Sequence, residues 1–354
     1  MRTLFGLSLL AALSLASGTV ASAQVTTLVP EKVAGAKPVK IERIKVHSAA
    51  IEGNLEGESA DRDVLVILPP GYAANPARRY PVVYALHGYS IGAEQWATEI
   101  HVPASIEGAF AKGAREMIVV MPGSKTVHNG SMYSRSQTTG DFETFIARDL
   151  VAYIDSHYRT VPARESRGLV GHSMGGYGAS RIGMKHADVF GALYMMSPCC
   201  LSPRGAMGLD EKAEAAFAGV KSIEDAQKLG WGQRATLAAA AAWSPNPTKA
   251  PLYLDLPFGD EAQRADVLAR WSANAPLAFI DQHIADLRRY RAISLDVGDK
   301  DGLVGDAGKL HDALNRYGIA HGYEVYQGDH TSHIGVRMQE QVLPFFSKNL
   351  SFPR

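Results

Sequence analysis

The sequence predicts an α/β domain built on a mostly parallel sheet with helices on both faces, and three observations carry that prediction. First, continuous apolar runs at Tyr80–Leu86, Met117–Pro122 and Val189–Ser197 read as strands buried on both sides. Second, segments with apolar residues at helical spacing separate them, as where Phe145, Ile146, Leu150, Val151 and Ile154 recur between Phe142 and His157. Third, the short apolar run Ser166–Val170, the small-residue turn Gly171–Gly176 and the segment Tyr177–Met184 read as strand, tight turn and helix.

Taken in order, Met1 to Ala23 has the form of a secretory signal: Arg2 is the positive region, Leu4 to Leu15 the apolar core, and Ala21-Ser22-Ala23 a small-residue cleavage site. The apolar core is short for a membrane span, so the expectation is an exported protein, periplasmic or secreted, with no stable membrane insertion once the signal is removed. Residues 24–40 lack periodicity and read as an extended leader into a domain running from residue 41 to 354. Ile41–His47 and Asp63–Leu68 alternate apolar with polar residues and predict two antiparallel edge strands.

After the strand at Val189–Ser197, the chain from Leu201 to about Arg291 passes through helical segments before the next strand, Ala292–Val297. This span, about 201–291, is read as a mostly helical, cap-like insertion with room for one small strand near Pro251 to Leu256. It holds Trp231, Trp243 and Trp271, aromatic surface suited either to lining a pocket or to a small core. A helix at Gly302–Gly318, a strand at His321–Tyr326 and a helix at Val336–Leu350 close the domain.

With 36 basic and 36 acidic residues the chain is nearly neutral, and no basic stretch carries interleaved aromatics, which argues against nucleic acid as a partner. The two cysteines, Cys199 and Cys200, are adjacent. Adjacent Cα atoms lie about 3.8 Å apart, short of the usual disulfide span, so two buried thiols are expected, with a strained vicinal bridge or an intermolecular link as the alternatives.

Chemistry points to Ser173. In Gly171-His172-Ser173-Met174-Gly175 the flanking glycines give room for a sharp reversal, and the following helix aims its N-terminal dipole at charge forming beside the hydroxyl. Such a serine needs a histidine to take its proton and a carboxylate to orient that histidine. In a parallel sheet both must come from loops at the carboxyl ends of later strands, and Gly298–Gly302 and Gly328–His333 are so placed. Asp296, Asp299 and Asp301 are candidate acids, and His330 and His333 candidate bases; His333 could instead line the pocket. A metal-binding reading of the two histidines lacks a third ligand at a diagnostic spacing.

With these pieces in view, the chain from about Ile41 to its end resembles the esterase D or S-formylglutathione hydrolase group of α/β-hydrolases, which includes feruloyl and acetylxylan esterases, siderophore esterases and mycolyltransferases. The resemblance rests on Leu86-His87-Gly88, the stretch Gly171–Ala179, Gly298–Asp301 and Gly328-Asp329-His330. It implies an α/β-hydrolase fold, Ser173 as nucleophile, Asp301 as acid, His330 as base, and the backbone N–H groups of Tyr89 and Met174 as the oxyanion hole. Trp96 and His172 join His333 as pocket candidates, though Trp96 also suits an ordinary core and His172 a packed turn. No metal or organic cofactor is implied. The implied substrate is a small-molecule or glycan-linked carboxylic ester; an acyltransferase using the same serine, or a non-catalytic binding protein on the same fold, are the rivals. The long insertion departs from the shorter members of the group and leaves substrate identity open, as does the sequence for oligomeric state.

Overall fold

The computed structural model describes residues 25–203 and 210–353. The signal read at residues 1–23 lies outside them. Among the described residues ten strands form: β1 Lys40–His47, β2 Asp61–Leu68, β3 Val82–Leu86, β4 Ile118–Pro122, β5 Arg135–Ser136, β6 Gly140–Asp141, β7 Arg167–His172, β8 Ala192–Met196, β9 Ala292–Gly298 and β10 Gly322–Tyr326. Eight of them make one sheet in the order β1-β2-β4-β3-β7-β8-β9-β10. The first two pairings are antiparallel, and every pairing from β4 to β10 is parallel. Of the two antiparallel strands read as edges, only β1 is one, because β2 also pairs with β4.

Why the apolar runs became parallel strands is visible in their burial. Every residue of β3, β4 and β8 is buried, and alternate side chains feed opposite faces: Val82, Tyr84 and Leu86 enter one core, Val83 and Ala85 the other. Each fully buried side chain of this kind contributes roughly 1.5–3 kcal/mol of transfer free energy. The helices over the sheet are α1 Val102–Ala111, α2 at 142–157, α3 Met174–Lys185, α8 Val304–Arg316 and α9 at 334–349. Asp141 caps α2 by accepting the Thr144 N–H at 2.8 Å, and a π turn at Phe145–Asp149 widens its middle.

Between β8 and β9 lie α4 Glu211–Ala218, α5 Ile223–Lys228, α6 Trp231–Trp243 and α7 Glu261–Ala273, with short helical turns after them. The small strand anticipated near Pro251 to Leu256 is reduced to one isolated bridge, Pro245 with Leu254. Pro245, Pro247 and Pro251 lack the N–H donors that a longer ladder would need. Buried residues of α6 and α7, Leu237, Trp243, Val267 and Trp271, belong to the same apolar cluster as Tyr177 and Ile182 of α3. The segment therefore packs on the elbow side of the sheet.

That topology also fixes where a site forms. The chain order reverses about β3, so the loops leaving β3 and β7 sit side by side at the carboxyl edge, with Leu86 in register with Gly171. Open α/β sheets bind ligands at such a crevice.

Candidate active site

Ser173 stands between β7 and α3 with φ 58° and ψ −115°, a backbone region that side-chain-bearing residues seldom occupy. Its surroundings hold it there. The Ser173 N–H donates to the Met196 carbonyl at 3.0 Å, and its own carbonyl accepts from Tyr177 at 2.9 Å and Cys199 at 3.1 Å. The flanking glycines are needed for close approach: a Cβ on Gly171 would stand 2.1 Å from the Gly175 oxygen, and one on Gly175 2.0 Å from the Leu86 oxygen.

Over Ser173 lies His330, from the loop after β10. Its Nε2 is 2.9 Å from Ser173 Oγ and its Nδ1 2.8 Å from Asp301 Oδ2. Asp301 follows β9; its side chain is 2% exposed, against 36% for His330. Burial, the largest influence, pushes the Asp301 carboxyl up, but the hydrogen bond and charge of His330 and the Leu303 N–H outweigh it and hold the group below its ordinary value. The Leu303 N–H donates to Asp301 Oδ1 at 2.9 Å. An ionised carboxylate thus faces Nδ1 and places the imidazole proton there, leaving Nε2 as the acceptor towards the serine.

The neighbouring candidates are occupied elsewhere. Asp296 is buried and bound to the Tyr194 hydroxyl at 2.7 Å and to Arg337 Nε at 2.8 Å. Asp299 Oδ1 accepts the Gly328 N–H at 2.9 Å. His333 Nδ1 lies 2.8 Å from Ser332 Oγ, and its ring sits against Tyr326.

A cavity of about 470 Å³ opens beside Ser173. It is lined by Tyr89 and Met132, by Cys199 and Cys200 after β8, by Asp301 to Leu303 with His330, and by Trp231, Gly232, Ala235, Thr236 and Ala239 of α6. Among the described residues no carbonyl accepts the backbone N–H of Tyr89 or of Met174. Met174 is the first residue of α3, where an N–H has no partner within the helix. A larger cleft of about 720 Å³ beside β1 and β2 shares no residue with this one.

The model of the Esterase family, described as "Putative esterase", matches residues 58–334. The chain belongs to this esterase family. A curated relative, the endo-1,4-beta-xylanase/feruloyl esterase of Xylanibacter ruminicola, is 25% identical over 136 residues, 37% of this chain and 19% of that protein. The chain thus spans about a fifth of that relative's length. Among solved structures, a ferulic acid esterase superposes with TM-score 0.64 at 24% identity, covering 88% of this chain and 98% of the other. An S-formylglutathione hydrolase from Agrobacterium tumefaciens gives TM-score 0.56 at 16% identity, covering 89% and 96%. These likenesses show the α/β-hydrolase fold.

Within this esterase-family site, the three pocket candidates from sequence are not cavity walls. Trp96 is fully buried in the core on the opposite face, with Ile100, Val102 and Met338. A large apolar ring there gains more by leaving water than by lining a wet cleft. His333 lies past the turn that carries His330 and faces Tyr326. His172 sits behind His330: its Nε2 donates to the His330 carbonyl at 2.8 Å, which fixes the proton on Nε2 because a carbonyl can only accept. Burial, with the His330 charge acting the same way, takes the His172 imidazole down to about 3, so it braces the loop as a neutral ring.

Sequence reasoning missed a second brace. The Ser124 N–H donates to His87 Nε2 at 2.8 Å, so His87 Nδ1 carries the proton and donates to the Gly88 carbonyl at 2.8 Å. The Tyr133 hydroxyl donates to the His87 carbonyl at 3.0 Å. Burial lowers the His87 imidazole to about 4. Its position straight after β3 was the available signal. Cys199 and Cys200, straight after β8, carried the same signal for the cavity wall.

Of the insertion's tryptophans only Trp231 reaches the cavity. It is 65% exposed, its Nε1 donates to Ser90 Oγ at 3.1 Å, and its ring meets Tyr89 edge-on at 5.3 Å. Trp243 and Trp271 are buried, packed on Tyr177 and on each other. They serve the core because Trp243, at the other end of α6 from Trp231, packs on Tyr177 of the elbow helix, and Trp271 of α7 packs on Trp243.

Proposed function

We propose that this chain is a serine esterase that hydrolyses carboxylic esters through an acyl-enzyme, with Ser173 as nucleophile, His330 as general base and acid, and Asp301 as the orienting carboxylate. The observation that carries it is His330 within hydrogen-bond reach of Ser173 Oγ on one nitrogen and Asp301 Oδ2 on the other. In this reading Oγ attacks the carbonyl carbon as its proton passes to His330 Nε2, and the Tyr89 and Met174 N–H groups receive the oxyanion. Collapse expels the alcohol, which takes the proton from Nε2. Water then attacks the acyl-enzyme, with His330 again accepting the proton, and Ser173 is released with the acid. Asp301 stays ionised throughout and balances the imidazolium.

The cavity supports a flat, largely apolar acyl group. Its lining combines the small residues Gly232, Ala235 and Ala239 of α6 with the apolar Met132 and Leu303 and the aromatic Trp231 and Tyr89. An aromatic acyl chain of the kind named for the feruloyl esterase relatives fits that chemistry. Residues 201–291 act in this reading as a cap that shapes the cavity through Trp231. Export is part of the proposal, resting on the signal-like residues 1–23; among the described residues no helix is long and apolar enough to cross a membrane.

The test is turnover of an ester panel varied separately in acyl and alcohol parts, with products analysed in the presence of an added acceptor alcohol. Ser173→Ala is expected to lower kcat on the order of a million-fold while the melting curve stays intact. A purified Ser173→Ala protein with near wild-type activity would overturn the reading, and preferential transfer to the alcohol would make the chain a transferase.

A further inference from the structure

Residues 25–31, ahead of the first strand, belong to the segment read from sequence as an extended leader. In the fold they cross the outside of the loop that carries His330. The Thr331 hydroxyl donates to the Thr26 carbonyl at 3.0 Å, and the Ser332 carbonyl accepts the Leu28 N–H at 2.7 Å and the Thr27 hydroxyl at 3.3 Å. Both residues held this way are the immediate successors of His330.

The segment is itself pinned on either side of these contacts. Ahead of them the Val25 N–H donates to Glu99 Oε2 at 3.1 Å. Behind them Pro30 is buried, its Cδ 3.3 Å from where a Cβ on Gly335 would stand, and the Glu31 carbonyl accepts from Gln339 Nε2 at 3.3 Å. Ordering seven residues outside any helix or sheet costs about 1–2 kcal/mol each, more than hydrogen bonds of about 1 kcal/mol return by themselves. Anchors at both ends, and a proline that lowers the entropy of the free chain, are what make such a strap hold.

The loop also has an inner face. His172 Nε2 donates to the His330 carbonyl at 2.8 Å, and Asp329 Oδ1 accepts the N–H groups of Thr331 at 3.0 Å and Ser332 at 2.9 Å, closing a tight turn. His330 therefore rides on a turn gripped between a buried neutral histidine and the strap. The side chain is 36% exposed, so packing alone does not fix it.

We infer that the segment Val25–Glu31 is a positioning strap, which keeps His330 Nε2 aligned with Ser173 Oγ by holding Thr331 and Ser332 from outside. The inference rests on the triad reading given above. A displacement of about 1 Å at a catalytic base costs on the order of a hundred-fold in rate, so a partial loosening of the loop is visible in kcat well before the fold is affected.

The test uses the full chain with Thr331→Val, which removes the hydroxyl that reaches Thr26, and Leu28→Pro, which removes the N–H that reaches Ser332. Active sites are first counted with a serine-directed phosphonate, and kcat and KM for a small activated acetate are then expressed per labelled site. Each variant is expected to lose about tenfold in kcat at nearly constant KM and melting temperature, and the double variant more. Thr331→Ser, which restores the hydroxyl, is expected to recover most of the loss. Glu107→Ala, which releases the Val39 N–H further along the chain, should leave kcat unchanged. Near wild-type kcat per site in both Thr331→Val and Leu28→Pro would overturn the strap, as would a loss confined to melting temperature or to the labelled fraction. If Leu28→Pro fails to fold, Thr331→Val and its serine rescue decide alone. His330→Ala run in parallel separates the two readings: an active His330→Ala protein removes the triad, whereas an inactive one beside unaffected strap variants removes only the strap.

Discussion

Replacing Asp301 by Asn probes the carboxylate's role through a conflict that the structure makes explicit. In the native site one oxygen accepts from His330 Nδ1 at 2.8 Å and the other from the Leu303 N–H at 2.9 Å. An asparagine offers one acceptor to these two donors. If its carbonyl turns to His330, its NH2 faces the Leu303 N–H, and a buried donor left unmet costs about 1–3 kcal/mol. If its carbonyl stays on Leu303, its NH2 must donate to a bare Nδ1, which moves the imidazole proton to Nε2. Nε2 then presents a hydrogen to Ser173 Oγ and no longer accepts one. With the side chain only 2% exposed, water has little access to relieve either arrangement, and the developing imidazolium has lost its counter-charge. The expected loss in kcat is about 10⁴-fold, with KM and melting temperature little altered. Initial rates on a small activated acetate near neutral pH, normalised by phosphonate labelling, measure it. Asp299→Asn is the internal comparison and should stay near wild type, because that carboxylate only receives the Gly328 N–H. Asp301→Asn within tenfold of wild type would refute the reasoning, and a larger loss in Asp299→Asn would show that the acid comes from the other end of the loop.

The tryptophans should separate by burial. Trp243→Ala and Trp271→Ala are expected to destabilise by about 3–5 kcal/mol and to lower activity on all esters in proportion, whereas Trp231→Ala should change stability little and alter the ranking of bulky aromatic against small esters; denaturant melts and specificity constants across the panel test this. Acid stability should depend on Glu143. Burial, the largest influence on its carboxyl, pushes it up, but His186, Arg181 and Lys185 bring it down to about 2 from an ordinary 4.5. Because the folded value is the lower one, its stabilisation, on the order of 3 kcal/mol, is complete above about pH 5 and is lost as pH falls from about 4.5 towards 2. Glu143→Gln should therefore melt lower at pH 7 and lose less on going to pH 3; an unchanged pH dependence would place the acid sensitivity elsewhere.

How much of this was legible in the sequence follows from the range of each signal. The parallel strands could be read because burial on both faces forces near-continuous apolar runs such as Val82–Leu86, and the elbow because Gly171 and Gly175 have no substitute at those close approaches. Asp301 and His330 were reachable by topology, since both follow strands that end at the edge bearing Ser173. The two-residue ribbon of β5 and β6 has no periodicity to read. Trp96 and Trp231 look alike in sequence, and only the fold sends one to the far core and the other to the cavity mouth. The grip of residues 25–31 on the His330 loop pairs the Thr27 and Thr331 hydroxyls and the Leu28 N–H with carbonyls some 300 positions away, contacts that no local sequence pattern marks.

The covalent intermediate tests the central claim most directly. A slowly deacylating aromatic ester mixed with enzyme, quenched in acid within milliseconds and digested with trypsin, releases the peptide Gly168–Arg181, which also contains Ser180 as a second hydroxyl for comparison. The account predicts one acyl mass on this peptide, located on Ser173 by fragmentation, in an amount that matches the burst of released alcohol and is absent from Ser173→Ala. Turnover with no acylated peptide, or the acyl group on another residue such as Ser180 or Cys199, would contradict it.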